Sequence, residues 1–509
     1  MTGRSSLAAA LVLGLVSAFA FQPFALWPLM PLAFAALCEL IARAPALHRA
    51  LLLGWLFAVG QFAVGLNWIA TAFTFQAAMP AWLGWVAVLL LSFYLAVYPM
   101  LAAGLAWRFG RDKPIALVLA LAGGWAITEW LRATMFTGFA WNPVGAALVD
   151  SRLLGTSRWI GTYGLSALII LCGGAFWLAW QRDFKPAAWV AVGVLAFALL
   201  PAPVPRPHPT PRPIRIIQPN ISQEDKWREG LADEAFTRLE RLSADRPSGA
   251  PSTPRLLFWP EVAVPEPFQI IGPDQRPLAT ALPAIPRAVQ SIRAGDLLLT
   301  GGFALMTDRT GTVVGNTNSV FALDRRGGVV GRYDKAHLVP YGEYLPMRPL
   351  LSSIGLSQLA PGQGDTSYGP GPRTIDLGTF GKMGLQVCYE IIFSGDVVDD
   401  QDRPDFIFNP SNDAWFGAWG PPQHLAQAQM RAAEEGLPVI RSTPTGISAV
   451  IDARGRVLHA LAWKTAGTID SILPAPLAPT MFAKFGNVIP LLLGFLLLFC
   501  AIALGRTRR

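Results

Sequence analysis

Apolar positions follow two regimes along the chain. Over residues 1–201, and again over 487–505, they run almost without interruption; over 202–486 they come in short bursts between polar and turn residues. A helix that spans the hydrocarbon core of a bilayer needs about 20 mostly apolar residues. Eight stretches meet or approach that length, at about 5–21, 24–42, 50–72, 82–108, 115–132, 161–181, 186–201 and 487–505. In the polar region, β-branched and aromatic runs predict strands at 214–218, 256–259, 297–303, 319–323, 383–388, 406–408, 439–442 and 448–451. Helical spacing covers about 230–243, 284–293 and 421–434. Strands mixed with helices imply a layered α/β or α+β domain.

The expected organisation is seven membrane helices in 1–201, a linker at 202–213, a globular domain over 214–486, and a last membrane helix with a basic tail over 487–509. Proline at every second position from Pro201 to Pro213 excludes a helix and favours an extended, semi-rigid spacer. Residues 7–20, ending Ala18-Phe19-Ala20, also resemble a signal-peptide core. Only Arg4 precedes them and further apolar segments follow at once, which favours a retained first helix.

Composition agrees with the pattern: 52% of residues are hydrophobic and 15% charged, and the mean hydropathy is +0.40. The formal charge of +8 is unevenly placed. Residues 1–201 hold eleven basic and five acidic side chains, the tail adds Arg506, Arg508 and Arg509, and the middle region carries 27 basic against 28 acidic. With no basic excess there, nucleic acid is excluded as a partner. If the N-terminus is cytoplasmic, eleven basic residues fall on the inner side and only Arg132, Arg152 and Arg158 on the outer side. The positive-inside tendency then puts both termini in the cytoplasm and residues 202–486 outside it. Trp27, Trp68, Trp82, Trp85, Trp141 and Trp159 fall near segment ends, as an interfacial belt requires. Glu39 and Glu129 lie near helix ends and are expected to reach water.

Of four cysteines, Cys38, Cys172 and Cys500 lie in apolar segments; Cys388 alone is in the polar region, ending an apolar run and followed by Tyr389-Glu390. An unpaired thiol kept outside the cytoplasm, beside a carboxylate, is a candidate nucleophile, although most free cysteines are small buried hydrophobes. Glu261, Lys335 and Glu343 also follow apolar or turn contexts that could aim them into a cleft, but their spacing does not bring them together. Gly301-Gly302 and the turn at 325–328 read as ordinary turn glycines. No metal-ligand spacing and no Gly-rich phosphate loop is present, so neither metal nor cofactor is expected.

Taken together, Trp-Pro-Glu at 259–261, Tyr-Asp-Lys at 333–335 and Val-Cys-Tyr-Glu at 387–390 resemble the Glu–Lys–Cys triad of the nitrilase (carbon–nitrogen hydrolase) superfamily. The stretch from Lys335 to Pro346, the Ser-Asn-Asp-Ala-Trp-Phe-Gly run at 411–417, and a many-helix membrane part resemble the apolipoprotein N-acyltransferase family. That resemblance implies an αββα sandwich on the periplasmic face of a bacterial inner membrane. It implies ping-pong transfer of an acyl chain from a phospholipid donor to the N-terminal amine of a diacylglyceryl-cysteine lipoprotein. Glu261 would be the base, Lys335 the stabilising cation and Cys388 the nucleophile, supported by Glu343, Tyr389, Glu390 and Trp227. Trp415 and Trp419, with the apolar stretch 345–359, are candidates for an arm reaching lipid, or else pack ordinarily; His337 and His424 are candidate supporting residues. The alternatives are a membrane-tethered amidase that releases the acyl group to water, and a non-catalytic scaffold or transporter.

Overall fold

In the computed structural model, residues 3–75, 80–200, 211–222, 231–245, 253–274, 276–279, 282–353 and 366–506 are described. Most of the linker and Trp227 lie outside them, as does 354–359 of the suggested arm.

The apolar segments fold as helices. Among the described residues, five are long and apolar enough to cross a membrane: Leu47–Gly65, Trp82–Gly110, Pro114–Thr134, Arg152–Trp180 and Val488–Arg506. Arg4–Ala20, Leu29–Ala42 and Phe184–Ala198 are apolar but shorter. The second stretch runs as two helices, Trp82–Leu95 and Val97–Gly110. The segment expected at 161–181 begins earlier, at Ser157, because its helical run continues through a kink at Gly161 (φ +65°). Glu129 does not reach water: it is buried, accepting from the Val144 amide (2.8 Å) and the Ser166 hydroxyl, with Arg132 3.8 Å away. A carboxylate at membrane depth survives only with such partners. Trp141 is also buried, 0% exposed, rather than interfacial.

The polar region forms two packed sheets. One runs β15-β1-β2-β5-β3-β4, with β6 on β5 and both β7 and β8 on β6; the other runs β14-β13-β12-β11-β10-β9. Their strands are β1 Pro213–Gln218, β2 Leu256–Phe258, β3 Gln269–Ile271, β4 Pro277–Ala279, β5 Leu297–Thr307, β6 Val313–Asp324, β7 Val329–Asp334, β8 Thr366–Ser367, β9 Thr374–Asp376, β10 Lys382–Leu385, β11 Phe406–Pro410, β12 Val439–Ser442, β13 Ala449–Ile451, β14 Val457–Ala460 and β15 Gly467–Ile472. In each sheet the central strands, β1-β2-β5 and β10-β11-β12, are parallel.

Period-two alternation sorts the side chains into layers. Ile214, Ile216, Leu256, Phe258, Met383, Leu385, Phe406, Phe408 and Ile440 meet between the sheets. Ile217, Leu257 and Leu298 turn the other way, onto helices Leu231–Ala244 and Ala284–Gln290. On the outer face of the second sheet, Ile407, Val439 and Ala449 pack on helix Gly420–Glu435, with Phe62, Leu66, Trp68 and Trp141 of the helical part in the same cluster. The result is a four-layer αββα sandwich with its second helical layer seated on the apolar helices. Pro421 in the first turn of helix Gly420–Glu435 and Gly436 in the left-handed region after it set its ends.

Candidate active site

Parallel strands direct residues beyond their carboxyl ends into one crevice. Glu261 follows β2, Lys335 follows β7, and Cys388 lies three residues past β10. The strand expected at 383–388 stops at Leu385, and Cys388 opens a short 3-10 turn with φ +51°. A left-handed backbone at a non-glycine residue costs about 1–2 kcal/mol and presents the thiol on a sharp elbow.

Residues 74 positions apart in sequence meet here. Lys335, 1% exposed, sits 3.5 Å from Glu261 Oε1 and 2.9 Å from Glu343 Oε2. Asn318 on β6, which the sequence reading did not single out, joins the two carboxylates: its Nδ2 donates to Glu261 Oε1 (2.7 Å) and to Glu343 Oε1 (2.9 Å). Nothing in the sequence marks it out, since it lies in a polar stretch, Asn316 to Ser319, at the middle of β6. Cys388 is buried, accepts from the Asn412 amide, and interacts electrostatically with both Glu261 and Lys335.

Burial disfavours the Lys335 ammonium, but Glu343 and then Glu261 outweigh it and hold its pKa above the ordinary lysine range. Burial and then Glu261 push the Cys388 thiol well above its ordinary value, with Lys335 opposing. Cys388 therefore rests as a thiol. Lys335 favours the thiolate in direction only, so a thiol acting here as a nucleophile would need a base to take its proton.

Glu390 clamps two of these elements. Its Oε1 accepts from the Ala336 amide (2.7 Å), the His337 amide (3.0 Å) and the Tyr333 hydroxyl (2.9 Å), while Oε2 accepts from the Val387 amide (2.6 Å). The loop carrying Lys335 is thus tied to the turn carrying Cys388. His424 holds the elbow from behind: Nε2 lies 3.0 Å from the Cys388 carbonyl oxygen, and Nδ1 2.8 Å from Asp413, which is paired with Arg441 (2.7 Å). Burial and then Arg441 lower the His424 pKa. The Asp413 carboxylate and the Cys388 carbonyl, one at each ring nitrogen, oppose that shift.

Tyr389 and His337 face the helical part instead. The Tyr389 hydroxyl donates to the Gly138 carbonyl (3.3 Å), and His337 Nε2 meets the Thr137 carbonyl (2.9 Å). Trp415 contacts Phe75 at 5.6 Å, and Trp419 contacts Phe19 and Phe24, so both pack at the seam. Gly301 and Gly302 are not turn glycines but lie inside β5. A Cβ on Gly301 would stand 2.6 Å from the Glu261 Cα, so its bare backbone lets that residue approach.

Residues 13–175 match the apolipoprotein N-acyltransferase N-terminal domain, and residues 216–476 match the carbon–nitrogen hydrolase domain. Such a domain carried on apolar helices defines a membrane-bound enzyme. The apolipoprotein N-acyltransferase of Rhodopseudomonas palustris is 35% identical over 507 residues, covering 94% of this chain and 91% of its own length. That of Bradyrhizobium diazoefficiens is 36% identical over 508 residues, with coverage of 94% and 91%. The crystal structure of Saccharomyces cerevisiae Nit3, a nitrilase-superfamily member, aligns at 19% identity and TM-score 0.38 over 52% of this chain and 90% of that one. The chain belongs to the apolipoprotein N-acyltransferase family and is an acyltransferase.

Proposed function

We propose that the protein transfers a fatty acyl chain from a membrane phospholipid to the N-terminal amine of diacylglyceryl-cysteine lipoproteins, through a thioester on Cys388. The catalytic domain faces the periplasm from a bacterial inner membrane, as the loop charges favour. The observation that carries this reading is the meeting of Glu261, Lys335 and Glu343 around one electrostatic site with Cys388, in a domain docked on apolar helices.

In the first half-reaction the Cys388 sulfur attacks the ester carbonyl as Glu261 takes its proton. Negative charge gathers on the carbonyl oxygen, where the Lys335 ammonium stabilises it. Collapse expels the lysophospholipid alkoxide, which receives the proton from Glu261, and leaves the thioester. In the second half, the lipoprotein amine attacks the thioester and gives its proton to Glu261. The expelled thiolate takes that proton back, and the amide is formed. Glu343 and Asn318 hold Lys335 and Glu261 in register through both halves. Tyr341, Met347 and Leu350, exposed on the loop after Lys335, offer an apolar face to an incoming chain.

Intact-mass measurement after incubation with phospholipid alone tests this. One acyl adduct is expected, absent in Cys388→Ser, and discharged by a diacylated lipopeptide to give the triacylated product. Steady release of free fatty acid without an amine acceptor would instead favour the amidase reading.

A further inference from the structure

A cavity of about 810 Å³ opens at the seam between the helices and the α/β domain and shares no residue with the Cys388 cluster. On one side are Arg152 and Arg158, at the start of the helical run that ends at Trp180; on the other are Arg454 and Arg456, from the turn between β13 and β14. Four arginines outnumber the two nearby acids, Asp150 of the lining and Asp452 of the turn. Asp150 accepts from Gln22, and Asp452 takes Arg456 (2.7 Å) and the amides of its own turn. Among the described residues no carboxylate lies within ion-pair reach of Arg158 or Arg454. Arg158 is 7% exposed, its Nε has no hydrogen-bond partner, and it is repelled by Arg454, an effect Asp452 offsets in part. A buried guanidinium without a partner is costly, and its planar fork matches a phosphate oxygen pair.

The next two residues, Trp159 and Ile160, line an apolar groove of about 430 Å³ with Phe197, Leu200, Phe485 and Leu492. The cavity and the groove share no lining residue, but the same helix start carries an anion site through Arg158 and an apolar surface through Trp159. We propose that the arginine cavity binds the phosphate of a phospholipid headgroup. The lipid source rests on the membrane placement argued above, whereas the phosphate chemistry rests on the arginines alone. A lipid held there would brace the catalytic domain against the helices without taking part in acyl transfer.

The test uses the full chain in a lipid-free maltoside micelle, with Cys388→Ser so that no acyl transfer intervenes. Native mass spectrometry follows phosphatidylglycerol binding, and calorimetry follows inorganic phosphate. Arginine-dependent phosphatidylglycerol binding is expected, weakened about tenfold by Arg158→Gln and by Arg454→Gln, as for loss of one charge-assisted contact. Arg454 is half-buried on a turn, so its variant reports even if Arg158→Gln fails to fold. Unchanged lipid affinity in a folded Arg454→Gln protein overturns the proposal. Inorganic phosphate bound through the arginines, without lipid retention, overturns the lipid source in favour of a soluble phosphate compound. Since these proteins lack the nucleophile, failure here leaves the acyl-transfer reading untouched, and failure of acyl transfer leaves this binding measurable.

Discussion

The Cys388 elbow is held by residues whose chemistry is set by burial. Burial pushes Glu390 up to about 7, although the His337 and Val387 amides favour its charge. Its folded pKa therefore lies above the ordinary carboxylate value. Between about pH 4.5 and 7 the folded chain keeps a proton here that the unfolded chain releases, so this group's contribution to stability falls as pH rises through that window. At 1.36 kcal/mol per pKa unit the loss is roughly 3 kcal/mol. In thermal unfolding in detergent this group makes the midpoint fall from pH 5 to pH 7, against His337 and His424, whose lowered pKa values make it rise over the same range. Glu390→Gln should remove that fall, leaving the share of Glu435, which burial also raises to about 7, and the opposite shares of the two histidines. An unaltered slope in the variant would disprove the assignment. Gly301 gives a second test at this scale. In Gly301→Ala the Cβ clashes with the backbone of residues 260–262; Glu261 displaced by about 1 Å should cost about 10- to 100-fold in kcat, and the overpacked strand should lower the folding midpoint as well.

Among the elements, helix Gly420–Glu435 connects the two halves of the chain. Glu434 accepts from the Thr162 hydroxyl (2.6 Å) and the Ser394 hydroxyl (2.9 Å) and pairs with Arg431 (2.8 Å), all buried. Thr162 belongs to helix Ser157–Trp180, just past the kink at Gly161. About three turns further back the same bridging helix offers Gln423, whose Oε1 accepts from the Trp141 ring nitrogen (2.8 Å) and from Asn142 (3.0 Å), and beside it His424, which holds the Cys388 carbonyl. Glu434→Ala strands the Arg431 guanidinium in the interior. Breaking a buried pair in this way costs about 3–5 kcal/mol, and the loss should appear as a lowered unfolding midpoint. Glu434→Gln, which keeps an acceptor, should recover a good part of it; equal damage from both variants would show that the charge itself matters.

Over the whole molecule, the loop charges and the docking of the sandwich on apolar helices set the working geometry. Both proposed substrates keep their chains in the bilayer, so the reactive carbonyl lies at the interface and the catalytic domain can receive it there. If the domain is periplasmic, protease added to spheroplasts should cut loops of the α/β region, and the same protease on inverted vesicles should cut the short loops near Arg111 and Arg182. The reverse pattern would invert the orientation and remove access to exported lipoproteins.

Continuous apolar runs, alternating strands and three short motifs were enough to read the family, the layered α/β architecture and the pairing of that domain with membrane helices, because each depends on local periodicity or on residue type. The supporting contacts were not legible. Asn318, the role of Gly301, the burial of Glu129 and the place of Trp141 against Gln423 depend on residues far apart in sequence that meet only when sheets and helices pack. Single positions such as Glu261 and Lys335 carried no sign of their neighbours either. Side-chain pattern along a chain records which face is buried, whereas which charges share that buried space is decided by the tertiary fold, since electrostatic coupling depends on distance through space.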